Sequence, residues 1–180
     1  MTAAPDIRPA LPTDLPAIEA VHRAAFPTDL EARLVRLLIE RRQNAISLVA
    51  IEEGQIAGHV LFSPATIEAA GQVVATGLGL APVAILPAFQ NRGLGSALIR
   101  AGLDACRQLA TGFVAVLGEP TYYSRFGFLP ASRHGLTCEF GGDDAFQVQW
   151  FNDDPAIPLG GFVRYSPEFR EVFDPGDQHQ

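Results

Sequence analysis

The chain has 180 residues, 48% hydrophobic and 18% charged, with a formal net charge of −7. That length suits one domain with a sizeable core, and the composition excludes wholesale disorder. The acidic balance and the absence of a Lys/Arg run argue against nucleic acid and suit a cationic partner such as an amine.

A short first strand is expected over 7–9, then Thr13 as N-cap of a helix carrying Leu15, Ile18, Val21, Ala25 and Phe26 at helical spacing. After Pro27 a second helix puts Leu30, Leu34, Leu37 and Leu38 on one face. Strand-like runs over 46–52 and 55–62 flank "EEGQ", where Gly54 supplies a hairpin turn. A second short pair, 66–69 and 73–76, turns at Ala70-Gly71. "GLGLAPVAIL" is then a mostly apolar strand, and Pro82, with no N–H for a ladder, predicts a bulge or splay.

"QNRGLG" leads into a helix with a stripe of Leu94, Leu98, Ala101, Ala105 and Leu109, ended by Gly112. "FVAVLG" is a short apolar strand of the kind found at a sheet centre. "PTYYSRFGF" opens a short helix at Pro120 and then turns extended. A loop over 141–144, strands in "AFQVQWF" and "GGFVRY", a short helix after Ser166-Pro167 and a tail over 174–180 complete the pattern. The order describes a mixed α/β domain spanning 1–180, with its core over about 6–130 and residues 131–173 completing the sheet or the acceptor side.

The chemistry concentrates in "QNRGLG". Gly93 and Gly95 have no Cβ, so a ligand can reach the main chain, and the first N–H groups of a helix form a phosphate site. Arg92 adds positive charge. A Rossmann fingerprint would need a third glycine where Leu98 stands, and a Walker loop would need Gly-Lys-Ser/Thr, which the chain lacks. Two glycines alone also fit an ordinary βα turn.

The stretch Gln90-Asn91-Arg92-Gly93-Leu94-Gly95, between an apolar strand and a helix, resembles the Q/R-x-x-G-x-G/A acyl-CoA loop of the GNAT family, the Gcn5-related N-acetyltransferases. "YYSRFGF" after "FVAVLG" resembles that family's F-Y-x-R/K-x-G-F element, and "IRPA" before the first helix fits the same pattern. The resemblance covers roughly residues 7–129 and reaches the YhbS-like branch. It implies a mostly antiparallel sheet with helices on both faces and a splay between the two central strands. It also implies acetyl-CoA as co-substrate. Amides of Arg92, Gly93, Leu94, Gly95, Ser96 and Ala97 would hold the pyrophosphate, with Gln90, Asn91 and Arg125 beside them. The pantetheine arm would pair with main chain at Val83 and Ile85, and an N–H near Val83 or Ala84 would meet the oxyanion. Tyr123 matches the family's acid, whereas Tyr122 matches a packing Phe.

The resemblance leaves the base open, because residues 77–86 contain no carboxylate and no histidine. Glu119 is the first choice, with Glu31, His22, Glu68 or a water chain as alternatives. The loop between the first two helices would line the acceptor site, which makes Phe26, Asp29 and Glu31 substrate-side candidates. Trp150, Phe151 and Tyr165 either line the acceptor pocket or cover the sheet. His59 belongs on a sheet face, His134 in a loop and His179 in the tail, and no metal-ligand spacing appears. Cys106 and Cys138 form no disulfide framework and suit a reducing, cytoplasmic setting. The N-terminal stretch lacks the apolar centre of a signal peptide, and no apolar run approaches the ~20 residues of a membrane span. The leading reading is N-acetyl transfer to a primary amine of a small molecule or peptide, with a homodimer compatible. The alternatives are a CoA-binding module without chemistry and a nucleotide-binding protein.

Overall fold

The computed structural model describes residues 5–151 and 160–173. The expected tail and His179 lie outside them. In chain order the elements are β1 (Asp6–Pro9), α1 (Leu15–Ala25), α2 (Leu30–Glu40), β2 (Ile46–Glu52), β3 (Gln55–Ala69), β4 (Gln72–Ile85), α3 (Leu94–Gln108), β5 (Phe113–Leu117), α4 (Pro120–Tyr123), β6 (Leu129–Pro130), β7 (Leu136–Cys138), β8 (Phe146–Trp150), β9 (Gly161–Tyr165) and α5 (Pro167–Phe173). Among the described residues they form one nine-stranded sheet ordered β1-β2-β3-β4-β5-β8-β6, with β9 beside β3 and β7. Most pairings are antiparallel, whereas β4 with β5 and β7 with β9 are parallel.

Two apolar clusters cover the two faces. Ile18, Leu34, Leu38, Val49, Leu61 and Ile67 pack on the side of α1, α2 and α5. Leu94, Leu98, Ile99 and Leu103 of α3 pack with Val60, Phe62 and Leu80 on the other. The central strands β2 to β5 feed both clusters because successive side chains point to opposite faces.

Several sequence expectations need correction. The region 55–85 holds two long strands rather than four shorter ones: Pro64 is accommodated at an exposed position of β3, and the Ala70-Gly71 turn joins β3 to β4. Gly77 and Gly79 lie within β4, where a Cβ at the first would strike Phe113, and at the second the Tyr165 ring. Thr13 caps nothing, because Asp14 supplies the turn, accepting from Leu11 N–H at 2.7 Å and pairing with Arg8. Helix α3 ends at Gln108, four residues before Gly112, because Ala110 takes the left-handed turn at φ 52°. Its buried face includes Gly102, against which the Phe62 ring lies, and this rotates Leu109 into solvent at 60% exposure.

The bulge expected at Pro82 is present. Val60 faces Val83 while Phe62 faces Leu80, so Ala81 and Pro82 together oppose one residue of β3. Just before this point β4 also leaves β5. Their ladder holds only Leu78 to Val114 and Gly79 to Ala115, after which β4 continues to Ile85 without its parallel neighbour.

Candidate active site

The splay fixes which backbone groups are open. The N–H of Leu86 donates to Ala57 O at 2.8 Å, so positions 86 and 84 face β3. By the two-residue alternation of an antiparallel strand, Val83 and Ile85 turn their N–H and C=O to the open edge. The Ala84 amide, an alternative for the oxyanion, faces β3 instead. The Ile85 carbonyl accepts from Gln90 Nε2 at 3.0 Å, which pins the loop to the strand end.

Beyond that pin, Asn91 and Gly93 both take left-handed backbone, at φ 60° and 85°, and turn the chain into α3. Ala97 N–H makes a helix bond to Gly93 O at 3.0 Å. Its amide is therefore committed, contrary to expectation, and the amides before it, Leu94, Gly95 and Ser96, are those that precede the helical ladder. A Cβ on Gly95 would stand 3.2 Å from the Tyr122 hydroxyl, so the bare backbone keeps this space open.

A cleft of about 570 Å³ runs along this edge. Val83, Ala84, Ile85, Gln90, Asn91, Gly93, Leu94, Gly95, Ser96 and Arg125 line it. Arg92 does not; its guanidinium lies over the Phe89 ring, 5.2 Å from the centroid. Tyr122, expected only to pack, is part of the lining, and Arg125 sits over its ring at 4.5 Å while reaching Ser96 Oγ at 3.4 Å. The Tyr-Arg spacing along α4 and its following turn was the available signal for Tyr122.

A second cleft, about 540 Å³, lies on the other side of Phe26 and Val83, which line both. Tyr123 belongs to this second cleft, as do Glu31 and Tyr165. Burial raises the Tyr123 hydroxyl pKa to about 12, with Tyr122 adding to the shift. Phe140, Phe169 and Phe173, from the C-terminal segment, form further wall.

The other base and substrate candidates lie elsewhere. Glu119 is the N-cap of α4: its Oε1 accepts from the Thr121 hydroxyl at 2.7 Å and the Thr121 N–H at 3.0 Å, bonds that lower its pKa. Tied and exposed, it lines neither cleft. Asp29 is exposed at the start of α2, and Glu68 is paired to Arg164 at 2.7 Å. His22 is wholly buried on the inner face of α1, with its ring nitrogen 2.9 Å from that of His59, which in turn meets Ser47 at 2.9 Å. Burial lowers the His22 pKa to about 4 and the His59 pKa well below its ordinary value. Trp150 and Phe151 pack into the two cores rather than the clefts. Among the described residues no group of three or more His, Cys, Asp or Glu side chains stands together as a metal site.

A family model described as an acetyltransferase (GNAT) domain matches residues 6–131. The chain belongs to the GNAT family. It is 38% identical over 165 residues to the Escherichia coli K12 protein named uncharacterized N-acetyltransferase YhbS, covering 91% of this chain and 97% of that one. Among solved structures, the E. coli GNAT family N-acetyltransferase YhbS in complex with CoA superposes with a TM-score of 0.85 at 36% identity, over 94% of each chain. A GNAT acetyltransferase from Brucella melitensis in complex with acetyl-CoA superposes at 0.74 with 34% identity, over 92% of this chain and 97% of that one. The open edge of β4 and the loop before α3 are thus features of a GNAT fold. Among the described residues no helix is long and apolar enough to cross a membrane.

Proposed function

We propose that this GNAT protein transfers an acetyl group from acetyl-CoA directly to a primary amine. The observation that carries the reading is the meeting of two clefts at Phe26 and Val83, beside an open strand edge. One cleft fits a pyrophosphate and an extended amide-bearing arm: it offers helix amides at 94–96, a glycine that a Cβ would fill, and unpaired main chain at Val83 and Ile85. The relatives crystallised with CoA and with acetyl-CoA support this assignment.

The amine nitrogen attacks the thioester carbonyl from the second cleft. The N–C bond forms as the C–S bond breaks, and of the two protons an ammonium must lose, one leaves before attack and one ends on sulfur. The Val83 N–H is aimed at the open edge, where it can donate to the developing oxyanion. Tyr123, with a pKa near 12, stays protonated at any working pH and donates to the departing sulfur. Against a thiol near 8.5, full transfer from Tyr123 alone is uphill by about 5 kcal/mol, so it completes only as the amine gives up its proton. The same reading places the protein in the cytoplasm, supported by two buried free thiols.

The test is thiol release from acetyl-CoA over an amine panel, in wild type and Tyr123→Phe. The reading predicts amine-dependent release and a loss of about 10²-fold or more in kcat on removal of the hydroxyl, with CoA affinity kept. Tight CoA binding without thiol release for any amine would instead make the protein a binding module.

A further inference from the structure

The cofactor cleft says nothing about the acceptor, but the second cleft has a marked chemistry. We infer that the acceptor is a primary amine borne on an apolar body of one or two rings, with Glu31 receiving its ammonium. This rests on the acyl-transfer reading above and names its substrate class.

The walls are Phe26, Leu80, Phe140, Tyr165, Phe169 and Leu117, contributed by five separate parts of the chain. Tyr165, Phe140 and Phe169 pack ring to ring, with centroids 5.1 to 6.4 Å apart. Ion pairs tie this wall to its neighbours. Arg41 ties α2 to α5 through Glu171 at 2.6 Å, and Arg170 ties α5 to Glu139 at 2.9 Å. A volume of about 540 Å³ lies within the range that takes a small organic molecule.

Polar atoms in this lining are few, and two have no partner among the described residues. Glu31 Oε2 is buried and accepts nothing, and the Tyr165 hydroxyl is likewise buried and unbonded. Glu31 makes no salt bridge among the described residues, whereas Glu19, Glu68, Glu139, Glu168 and Glu171 all pair with arginine. An unbonded buried carboxylate oxygen in an aromatic cleft is the complement of an alkylammonium head. It also offers an acceptor for the proton that the ammonium loses before attack. A sugar or polyamine would bring further polar groups against ring faces that cannot bond them.

The shared chemistry has two sources, a free arylalkylamine or the N-terminal residue of a peptide. The experiment separates them. Thiol release is measured at saturating acetyl-CoA with 2-phenylethylamine, tryptamine and hexylamine, with the peptide Phe-Gly-Gly, and with spermidine and glucosamine. Binding of the same amines to the CoA-loaded protein is followed by calorimetry.

The inference predicts a KM for the best apolar amine or Phe-Gly-Gly at least about tenfold below that of spermidine and glucosamine. Glu31→Gln should raise that KM by about tenfold or more, with CoA affinity and melting temperature unchanged. Phe173→Ala, at a residue 40% exposed and so tolerant of change, should raise KM for the apolar amines and not for the polar ones. A lower KM for spermidine or glucosamine, or an unaltered KM in Glu31→Gln, overturns the acceptor class and leaves acetyl transfer standing. Binding of apolar amines without thiol release overturns the transfer and keeps the ligand class. Neither binding nor release overturns both.

Discussion

Gly118 offers a way to move the Tyr123 hydroxyl without touching it. A Cβ built on Gly118 stands 3.0 Å from Tyr123 Cδ2 and 3.3 Å from Cζ, and closer still to Cε2. Carbon atoms prefer about 3.5–4.0 Å, so the ring must shift by roughly half to one ångström or more. It has little room to do so smoothly. Tyr123 is buried, edge-on to Tyr122 at 5.1 Å and to Phe128 at 5.8 Å. Misplacing a catalytic group by about 1 Å can cost about 10²-fold in rate, and overpacking costs about 1–3 kcal/mol of stability. Gly118→Ala should therefore remain folded, with a melting temperature lower by several degrees and kcat down by up to about 10²-fold. CoA affinity, set on the far side of Val83, should hold. A double-mutant cycle isolates the cause. Once Tyr123→Phe has removed the hydroxyl, adding Gly118→Ala should cost little more in kcat. A wild-type kcat in Gly118→Ala, or strictly additive losses in the cycle, would refute the placement of Tyr123 beside the leaving sulfur.

Other predictions follow from the same geometry. Gly95→Val should weaken CoA binding sharply in a calorimetric titration and leave the melting temperature nearly unchanged, since its side chain fills cleft space beside Tyr122 rather than core. Glu119→Ala should lower the melting temperature by loss of the α4 cap while kcat stays near wild type; a collapse of kcat in a folded variant would return Glu119 to the chemistry. His22 is neutral in both folded and unfolded chains above pH 6.5, but below it only the unfolded chain takes a proton until pH falls to about 4. Stability should thus drop by about 2 kcal/mol for His22 between pH 6.5 and 5, with His59 adding to the loss, above the range where Asp14 and Glu19 titrate. Urea midpoints over that window test it, and a flat profile contradicts neutral burial of the pair.

The first cleft was largely legible because it is local. A strand, a loop with two glycines and a helix are consecutive in the chain, and their backbone chemistry follows from spacing. Even there, the sequence could not distinguish Ser96, whose amide precedes the helical ladder, from Ala97, whose amide is the first to join it. Nor could it separate Arg92, drawn onto Phe89, from Arg125, drawn onto Tyr122. The second cleft was poorly legible because it is assembled from distant residues. Glu31, Leu80, Tyr123, Tyr165 and Phe169 meet only after β9 pairs with β3 and α5 folds back on α2. Glu119 looked suitable by its place at the end of β5, but Thr121, two residues on, claims its carboxylate. The His22–His59 pair is separated by 37 residues and carries no local signature.

The most direct test of the account is product analysis of the wild-type protein incubated with acetyl-CoA and apolar primary amines. The account predicts one thiol released for each amine that gains an acetyl group, identified by mass, with the ratio holding through the progress curve. Thiol release without acetylated amine, or stoichiometric CoA binding with no release for any amine, would contradict it.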